Sequence, residues 1–383
     1  MKRPISAALL LLALAGCGGS NSVQVSIPGS GGSGGSNNNN NPGGASLREF
    51  VVIPNGADNT VTIKQINLVD GTSSPRSTFN SGAQQPFVVK CNPVLNTFYV
   101  LHLKSDLITE FRIDVNGNAV SIGNIATPAG AALMSIHPSG RLVVVAGSTA
   151  RQLFSYAVAN DGTLTKVSQT NSNFLSGVPG VDGDFSGNGA FFHVPVMGGV
   201  QTLNVQNDGS LVNGSLNNFG TSISSTDQVV DVDVHPSQTS LQAAIQRAGN
   251  DAIASYGLAN GVLSNTSLSS VAYKVGTGDF SVAGRYYLGE SNQPIVHGFN
   301  TISNTGALTE LSSSPSTAGG VNAQFTQVDF TSSLVYSTQA IASNLLICRK
   351  LSNGDGQFAG SNFDSQNLAA PGLFDFFLFQ VNN

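Results

Sequence analysis

The sequence predicts an all-β chain, a seven-bladed β-propeller of four-stranded antiparallel blades. Three observations carry the prediction. One turn phrase recurs along the chain. A second motif, closing an apolar strand, recurs out of phase with it. The two ends of the array are incomplete in complementary ways.

The turn phrase reads NDGTL at 160–164 and NDGSL at 207–211. Looser copies are DGTS at 70–73, GNAV at 117–120, NGVL at 260–263, TGAL at 305–308 and DGQF at 355–358. Asn-Gly and Asp-Gly accept the positive φ that tight two-residue hairpin turns require. The flanks, QLFSYAV before and LTKVSQ after, alternate apolar and polar as half-buried strands do. The pivotal position falls on Gly71, Asn118, Gly162, Gly209, Gly261, Gly306 and Gly356, at intervals of 44 to 52 residues. A strand-rich repeat of roughly 40–50 residues is the period of propeller blades.

Each blade parses into strands a to d. Strand a ends in VKCNP, SIHPSG, GDFSGNG, VDVHPSQ, GDFSVAG or VDFTSS. Strand b follows, as in RLVVVAG and RYYLGE, and strands c and d flank the turn phrase. Near the start, REFVVIPNGADNTVTIKQINL supplies b and c with no a before them. Near the end, GLFDFFLF supplies an a strand alone. The C-terminal strand is therefore expected to complete the N-terminal blade. That closure gives seven blades and removes two open sheet edges.

The chain opens on MKRPISAALLLLALAGC. Lys2 and Arg3 precede an apolar run, Ile5 to Ala15, too short for a permanent membrane span. LAGC, Leu14 to Cys17, resembles a bacterial lipobox. The resemblance implies a signal peptide over 1–16, export, cleavage before Cys17 and a lipid anchor on its thiol. Gly18 and Gly19 are not acidic, which by the enterobacterial sorting rule points to the outer membrane. Residues 17–46 are dominated by Gly, Ser and Asn, which cannot bury a core, so they read as a flexible tether. Its end-to-end distance is roughly 30 Å. The propeller is expected over 47–383. A G-x-S-x-G match at Gly31–Gly35 lacks the strand-to-helix elbow of a serine hydrolase and reads as chance.

Charged residues make up 10% of the chain, the net charge is −5, and no Lys/Arg run occurs. Phosphate binding needs clustered cations, so no nucleic acid is expected as a partner. There is no C-x-x-C or H-E-x-x-H, and the five histidines fall in different blades. No metal or cofactor site is expected. Cys91 and Cys348 fall two blades apart, beyond the Cα separation of about 7 Å that a disulfide spans. Both are expected as free, buried thiols in a monomer.

IHPSGRLVVVAG followed by LFSYAVANDGTLTKV, and QRAGNDAIASYGL at 246–258, carry a resemblance. They are similar to the repeat signature of the lactonase-like seven-bladed β-propeller family. That family includes bacterial 6-phosphogluconolactonase and a cycloisomerase. The likeness runs from about residue 50 to 383. It implies chemistry on the face that carries the b–c and d–a loops. Arg247 matches the Arg of the family's Asn-Arg-Gly segment, and Glu290, in YYLGES, matches a Glu that follows strand b. By resemblance, Arg247 would hold a carboxylate or phosphate. Glu290, with His193 just below the same face, would position water or move a proton during lactone opening.

The same face offers Asn59, His102, Asp106, Arg151, Asp251 and Gln339 in b–c loops. Its d–a loops add Gln85, Asp182 and Asp227. Two departures from the family weaken an anionic substrate site: Asn250 replaces a frequent His, and Ala323-Gln324 replaces a Pro-Arg pair. His137 and His235 fall in a–b turns and read as architecture. Propellers host unrelated functions. The alternative to an enzyme is a non-catalytic propeller that binds a glycan or a protein at the envelope.

Overall fold

A computed structural model describes residues 46–381, apart from 173, 175–180, 219–225, 303, 318–321, 339–344, 353–354 and 366–367. The described residues form seven antiparallel sheets, each ordered a-b-c-d from the axis outward. The a strands are Asp375–Val381 in blade 1, Pro86–Cys91 in blade 2 and Ala131–Ile136 in blade 3. Asp184–Phe185, Gln228–Val234, Val275–Phe280 and Phe325–Val328 follow in blades 4 to 7. The expected closure is present. Asp375–Val381 pairs with Ser46–Asn55, from Val52 opposite Asp375 to Ser46 opposite Val381.

Burial explains why these segments become strands. LVVVAG, Leu142–Gly147, is buried at every position. Its β-branched side chains pack between blades on both faces of the sheet. The outer strand LTKVSQTN, Leu164–Asn171, is mostly exposed, as an edge facing water should be.

The repeated turn differs from expectation in detail. Only blade 5 has a two-residue loop: Ala259 pairs with Val262 across Asn260 and Gly261, whose φ values are 51° and 76°. The other six c–d loops hold five or six residues. In blade 3 the Asp161 carboxylate accepts from Thr163 N at 3.0 Å, an Asx turn, and Gly162 takes φ 90°. In blade 2 the left-handed residue is Gly117 (φ 82°), one place before Asn118.

These turns also latch the ring. Tyr99 Oη donates to Gly162 O at 2.9 Å, Tyr287 Oη to Gly356 O at 2.7 Å, and Tyr336 Oη to Gly71 O at 3.0 Å. Gln242 Nε2 does the same to Gly306 O at 2.6 Å. Each donor sits on strand b of the preceding blade. The a–b turns make a second set of ties. His137 Nδ1 accepts from Ser139 N at 3.0 Å, and the ring makes a backbone hydrogen bond to Gly189 of blade 4. His235 repeats this with Ser237 and with Gly284 of blade 6.

The axis is polar. Lys90 of blade 2 reaches across it to Asp182 at the entry to blade 4, Nζ to Oδ2 at 2.7 Å. Asp375 Oδ2 accepts from Cys91 N, Asp184 Oδ2 from Val234 N, and Asp279 Oδ2 from Val328 N, each joining one inner strand to the next. Cys91 and Cys348 are free and buried. Burial pushes the Cys348 thiol up to about 12.

Candidate functional site

On the face with the b–c and d–a loops, one junction gathers acid–base groups: the meeting of blades 5 and 6. Blade 5 supplies Arg247 and Asp251 from the loop between Ser240–Gln246 and Ala252–Ala259. Tyr273 and Lys274 come from the connection into blade 6. Blade 6 adds Glu290 at the end of Arg285–Glu290, His297 on Ile295–Thr301 and Glu310 on Leu308–Glu310.

Asp251 organises the loops. It is fully buried. Its Oδ1 accepts from Arg247 N at 3.0 Å and from Lys274 Nζ at 2.9 Å, and its Oδ2 from Val275 N at 2.9 Å. Lys274 Nζ also donates to the Arg247 and Gly249 carbonyls, both at 3.1 Å. One carboxylate thus fixes the loop that presents Arg247. The Arg247 guanidinium lies beside Asp227, Nε to Oδ2 at 3.4 Å.

Strand alternation builds the second part. Leu288 pairs with His297 and Phe299 with Glu310. Residues opposite one another, and those two apart, share a sheet face. Glu290, His297 and Glu310 therefore line one face of blade 6. His297 Nε2 lies 2.9 Å from Glu290 Oε1, and Nδ1 lies 2.9 Å from Glu310 Oε1. The Tyr273 ring stacks on the imidazole with centroids 4.0 Å apart. Burial works against ionisation of Glu310, but hydrogen bonds from Ser314 and His297 outweigh it and hold the carboxyl below its ordinary range. Burial, then the Glu310 and Glu290 carboxylates, push the Tyr273 phenol above its ordinary range.

The structure brings Arg247 and Glu290 to one junction, since Asp251 bonds Val275 N and Val275 pairs with Glu290. His193 lies elsewhere. It is the third residue of Phe191–Val196, opposite Asp184, and fully buried. Its Nδ1 hydrogen-bonds Thr202 Oγ1 at 3.0 Å, and burial pushes the ring down to about 3. Lys90 opposite Tyr99, Asp233 opposite Gln242 and Gln327 opposite Tyr336 show the same register slot in other blades, where Tyr99, Gln242 and Tyr336 latch the next blade's turn. His102 is likewise buried and pushed down to about 4. Asp182 sits in the axis with Lys90 instead of at the channel mouth.

Asn59 and Asp106 accept from Gln85 N and Gly130 N, at 2.7 and 2.9 Å, so they clamp loops as Asp251 does. Arg151 takes φ 50° at the same loop position, and its carbonyl accepts from Ser172 N. Gln339 and the lipobox Cys17 lie outside the described residues. Sequence reasoning missed His297, Glu310 and Tyr273. The signal was available: in IVHGFN a histidine breaks an apolar strand two residues out of register with a glutamate across a four-residue loop.

Two open clefts lie on the other face. One, about 350 Å³, is lined by Ser281, Arg285, Tyr287 and Ser332 among others. A second, about 590 Å³, is lined by His137, Ser139, Arg141, Asn188 and Asp208 among others. Several of these groups already serve the turn ties described above. The coupled acid–base groups are at the junction of blades 5 and 6.

Comparison with known proteins agrees with this architecture. A model of the prokaryotic membrane lipoprotein lipid attachment site matches residues 1–17, which implies an exported, lipid-anchored chain. No curated protein matches the chain by sequence. Among solved structures, a candidate 6-phosphogluconolactonase from Bacteroides uniformis gives a TM-score of 0.74 at 13% identity, covering 87% of this chain and 99% of its own. The periplasmic gluconolactonase PpgL of Pseudomonas aeruginosa gives 0.73 at 15% identity, covering 86% and 99%. A Lactobacillus plantarum protein gives 0.71 at 14%, covering 87% and 99%. At such identities the likeness establishes the fold: the chain has the lactonase-like seven-bladed β-propeller fold and carries a lipoprotein attachment site at its start.

Proposed function

We propose that this is a cell-envelope lipoprotein that hydrolyses an uncharged, hydroxylated lactone at the junction of blades 5 and 6. The observation that carries this reading is the carboxylate of Glu290, oriented by His297 beside the Asp251-fixed loop that presents Arg247. Lactone hydrolysis needs a base for the attacking water and a donor for the ester carbonyl. Glu290 Oε1 is engaged by His297, so Oε2 is the base. Arg247 is the carbonyl donor. The proton taken from water returns to the ring oxygen as the C–O bond breaks, giving a hydroxy acid.

Charge favours a neutral substrate. Arg247 faces Asp227, and Lys274 is paired with Asp251. Glu290 and Glu310 add two more carboxylates nearby. A phosphorylated or carboxylated lactone would meet net negative charge. His193 is left out of this proposal, because its burial keeps it from any substrate. The anchor through Cys17 is placed in the outer membrane, supported by the glycines that follow it, and residues 17–46 act as the flexible tether.

The test is acid release from a panel of aldonolactones and acyl lactones, followed by pH-stat. Glu290→Gln is expected to lower kcat by about 10²–10⁴-fold, the range of general-base catalysis. No rate above spontaneous hydrolysis in a folded sample removes the reading. One observation favours a second reading, a glycan- or protein-binding propeller. Arg247 and Glu290 are each tied to a protein partner, Asp227 and His297, as groups that hold a surface in place are.

A further inference from the structure

We propose that the face carrying the a–b and c–d turns docks on the surface of the phospholipid bilayer, led by the turns of blades 1 and 2. The face with the b–c and d–a loops then points away from the membrane, and the junction of blades 5 and 6 opens to the aqueous side. The proposal rests on the reading of Cys17 as a lipid anchor. Its surface argument stands on the described residues alone.

The direction of the first strand sets the geometry. A b strand runs from the a–b turns toward the b–c loops, so Ser46–Asn55 starts on the turn face. The tether joins the ring there. This ten-residue strand rises about 30 Å, at roughly 3.3 Å per residue. The tether's own end-to-end distance is also roughly 30 Å. A chain that had to climb the outside of blade 1, to bring the opposite face to the bilayer, would use up that reach on the climb. A chain rooted on the turn face uses none of it.

The exposed apolar side chains agree. Val69 is 74% exposed in the c–d turn of blade 1. Val94 is 54% exposed in the a–b turn of blade 2, and Val115 39% in its c–d turn. Val262, beside the Asn260–Gly261 turn, and Ile302, in the c–d loop of blade 6, add apolar tips to the same face. The remaining large exposed apolar residues lie on outer strands, and among the described residues none lies in a b–c or d–a loop. Scattered exposed valines need no explanation by themselves. Their restriction to the end of the ring where a lipid anchor is rooted does. Cations surround them. Arg48, just inside the first strand, donates to Val115 O at 3.2 Å, and Lys350 Nζ donates to Val69 O at 3.0 Å. The exposed Arg76 lies against Gly117 in the turn of Val115. The carboxylates of this edge, Asp70 and Asp114, accept from amides of their own turns. Apolar tips among cations suit the boundary between acyl chains and phosphate headgroups. The tether also holds the face at high effective concentration, so a contact too weak to retain a free protein is populated.

The test places a thiol-reactive fluorophore on the intact lipoprotein in vesicles of phosphatidylethanolamine and phosphatidylglycerol that carry a doxyl quencher near the headgroup. Val69→Cys, Val94→Cys and Val115→Cys report the turn face. Lys104→Cys and Asn292→Cys, in b–c loops, report the other. All five side chains are at least partly exposed, and the wild type, with Cys91 and Cys348 buried, sets the labelling background. Quenching is expected to be at least twofold greater at Val69, Val94 and Val115 than at Lys104 and Asn292. Equal quenching on the two faces, or more at Lys104 and Asn292, overturns the proposal. A second variant separates docking from the tether alone. Adding Val69→Ser and Val115→Ser to the chain labelled at Val94→Cys is expected to remove at least half of its quenching. Unchanged quenching means that the surface contributes nothing and also overturns the proposal. Flotation with the vesicles reports the anchor separately. If the wild type does not float, the anchor reading fails; coupling Cys17 of the chain 17–383 to a maleimide lipid then supplies the tether, and the same quenching pattern decides the docking face.

Discussion

The two faces of the ring use their polar residues differently. On the face with the a–b and c–d turns, polar groups repeat from blade to blade and bond the neighbouring blade: Tyr99, Gln242, Tyr287 and Tyr336 latch turn glycines, and His137 and His235 tie a–b turns. On the opposite face the repeat survives only as a clamp, in Asn59, Asp106 and Asp251. The junction of blades 5 and 6 departs from it, adding a Glu–His–Glu trio that the described residues of no other blade reproduce. Repetition marks what the ring needs for closure. Departure from it marks the candidate site.

The largest expected effect comes from breaking the closure both faces depend on. Ending the chain at Gly372 removes Asp375–Val381 and its pairing with Ser46–Asn55. The cooperative thermal transition, read by circular dichroism, is expected to disappear. A transition retained within a few degrees would mean that the strand is an ornament.

Next comes the clamp at the site. Asp251 accepts from two backbone amides and from Lys274 while fully buried. Asp251→Ala should cost about 3 kcal/mol in urea unfolding, as charge-assisted bonds are lost and buried donors are left bare. Asp208 makes the analogous turn contact, to Ser210, in full exposure. Asp208→Ala should leave the urea midpoint essentially unchanged. Equal losses would erase the distinction between the faces.

A third effect is pH-dependent and comes from the axis. Burial, with Asp182 adding to it, pushes Asp231 up to about 7, and burial pushes Asp375 up to about 6. In the unfolded chain these carboxyls ionise near the ordinary value of about 4. Between those limits the folded state binds more protons, so stability is fully present near pH 4 and declines as pH rises to about 7. Urea midpoints across that range test the sign. Asp231→Asn should flatten the slope.

The smallest effect is a single latch. Tyr287→Phe removes the bond to Gly356 O and should cost about 1 kcal/mol. It should leave lactone hydrolysis unchanged, since it acts on the other face.

The fold was legible because it is written seven times. The phrases at 160–164 and 207–211, and the unpaired strands at the two ends, fix blade number and closure from local chemistry. Turn length was less legible: the Asx bonds of Asp70, Asp161 and Asp208 lengthen loops that look like two-residue hairpins in sequence. The candidate site was legible in part. Arg247 and Glu290 stand out beside strand ends. His193 misled because its strand begins at Phe191, which places it at mid-blade opposite Asp184. His297 was passed over because a lone histidine in an apolar strand looks like core until the pairing register puts it between two glutamates.

The central claim is that function resides at the junction of blades 5 and 6. The most direct test is to titrate the isotopically labelled protein with an aldonolactam, an uncharged analogue of an aldonolactone that resists ring opening, and to map the perturbed amides. The account predicts shifts at Arg247, Tyr273, Lys274, Glu290 and His297, with the turn face silent. Saturable shifts confined to the cleft around His137, Arg141 and Asn188 would contradict it and move the site to the other face.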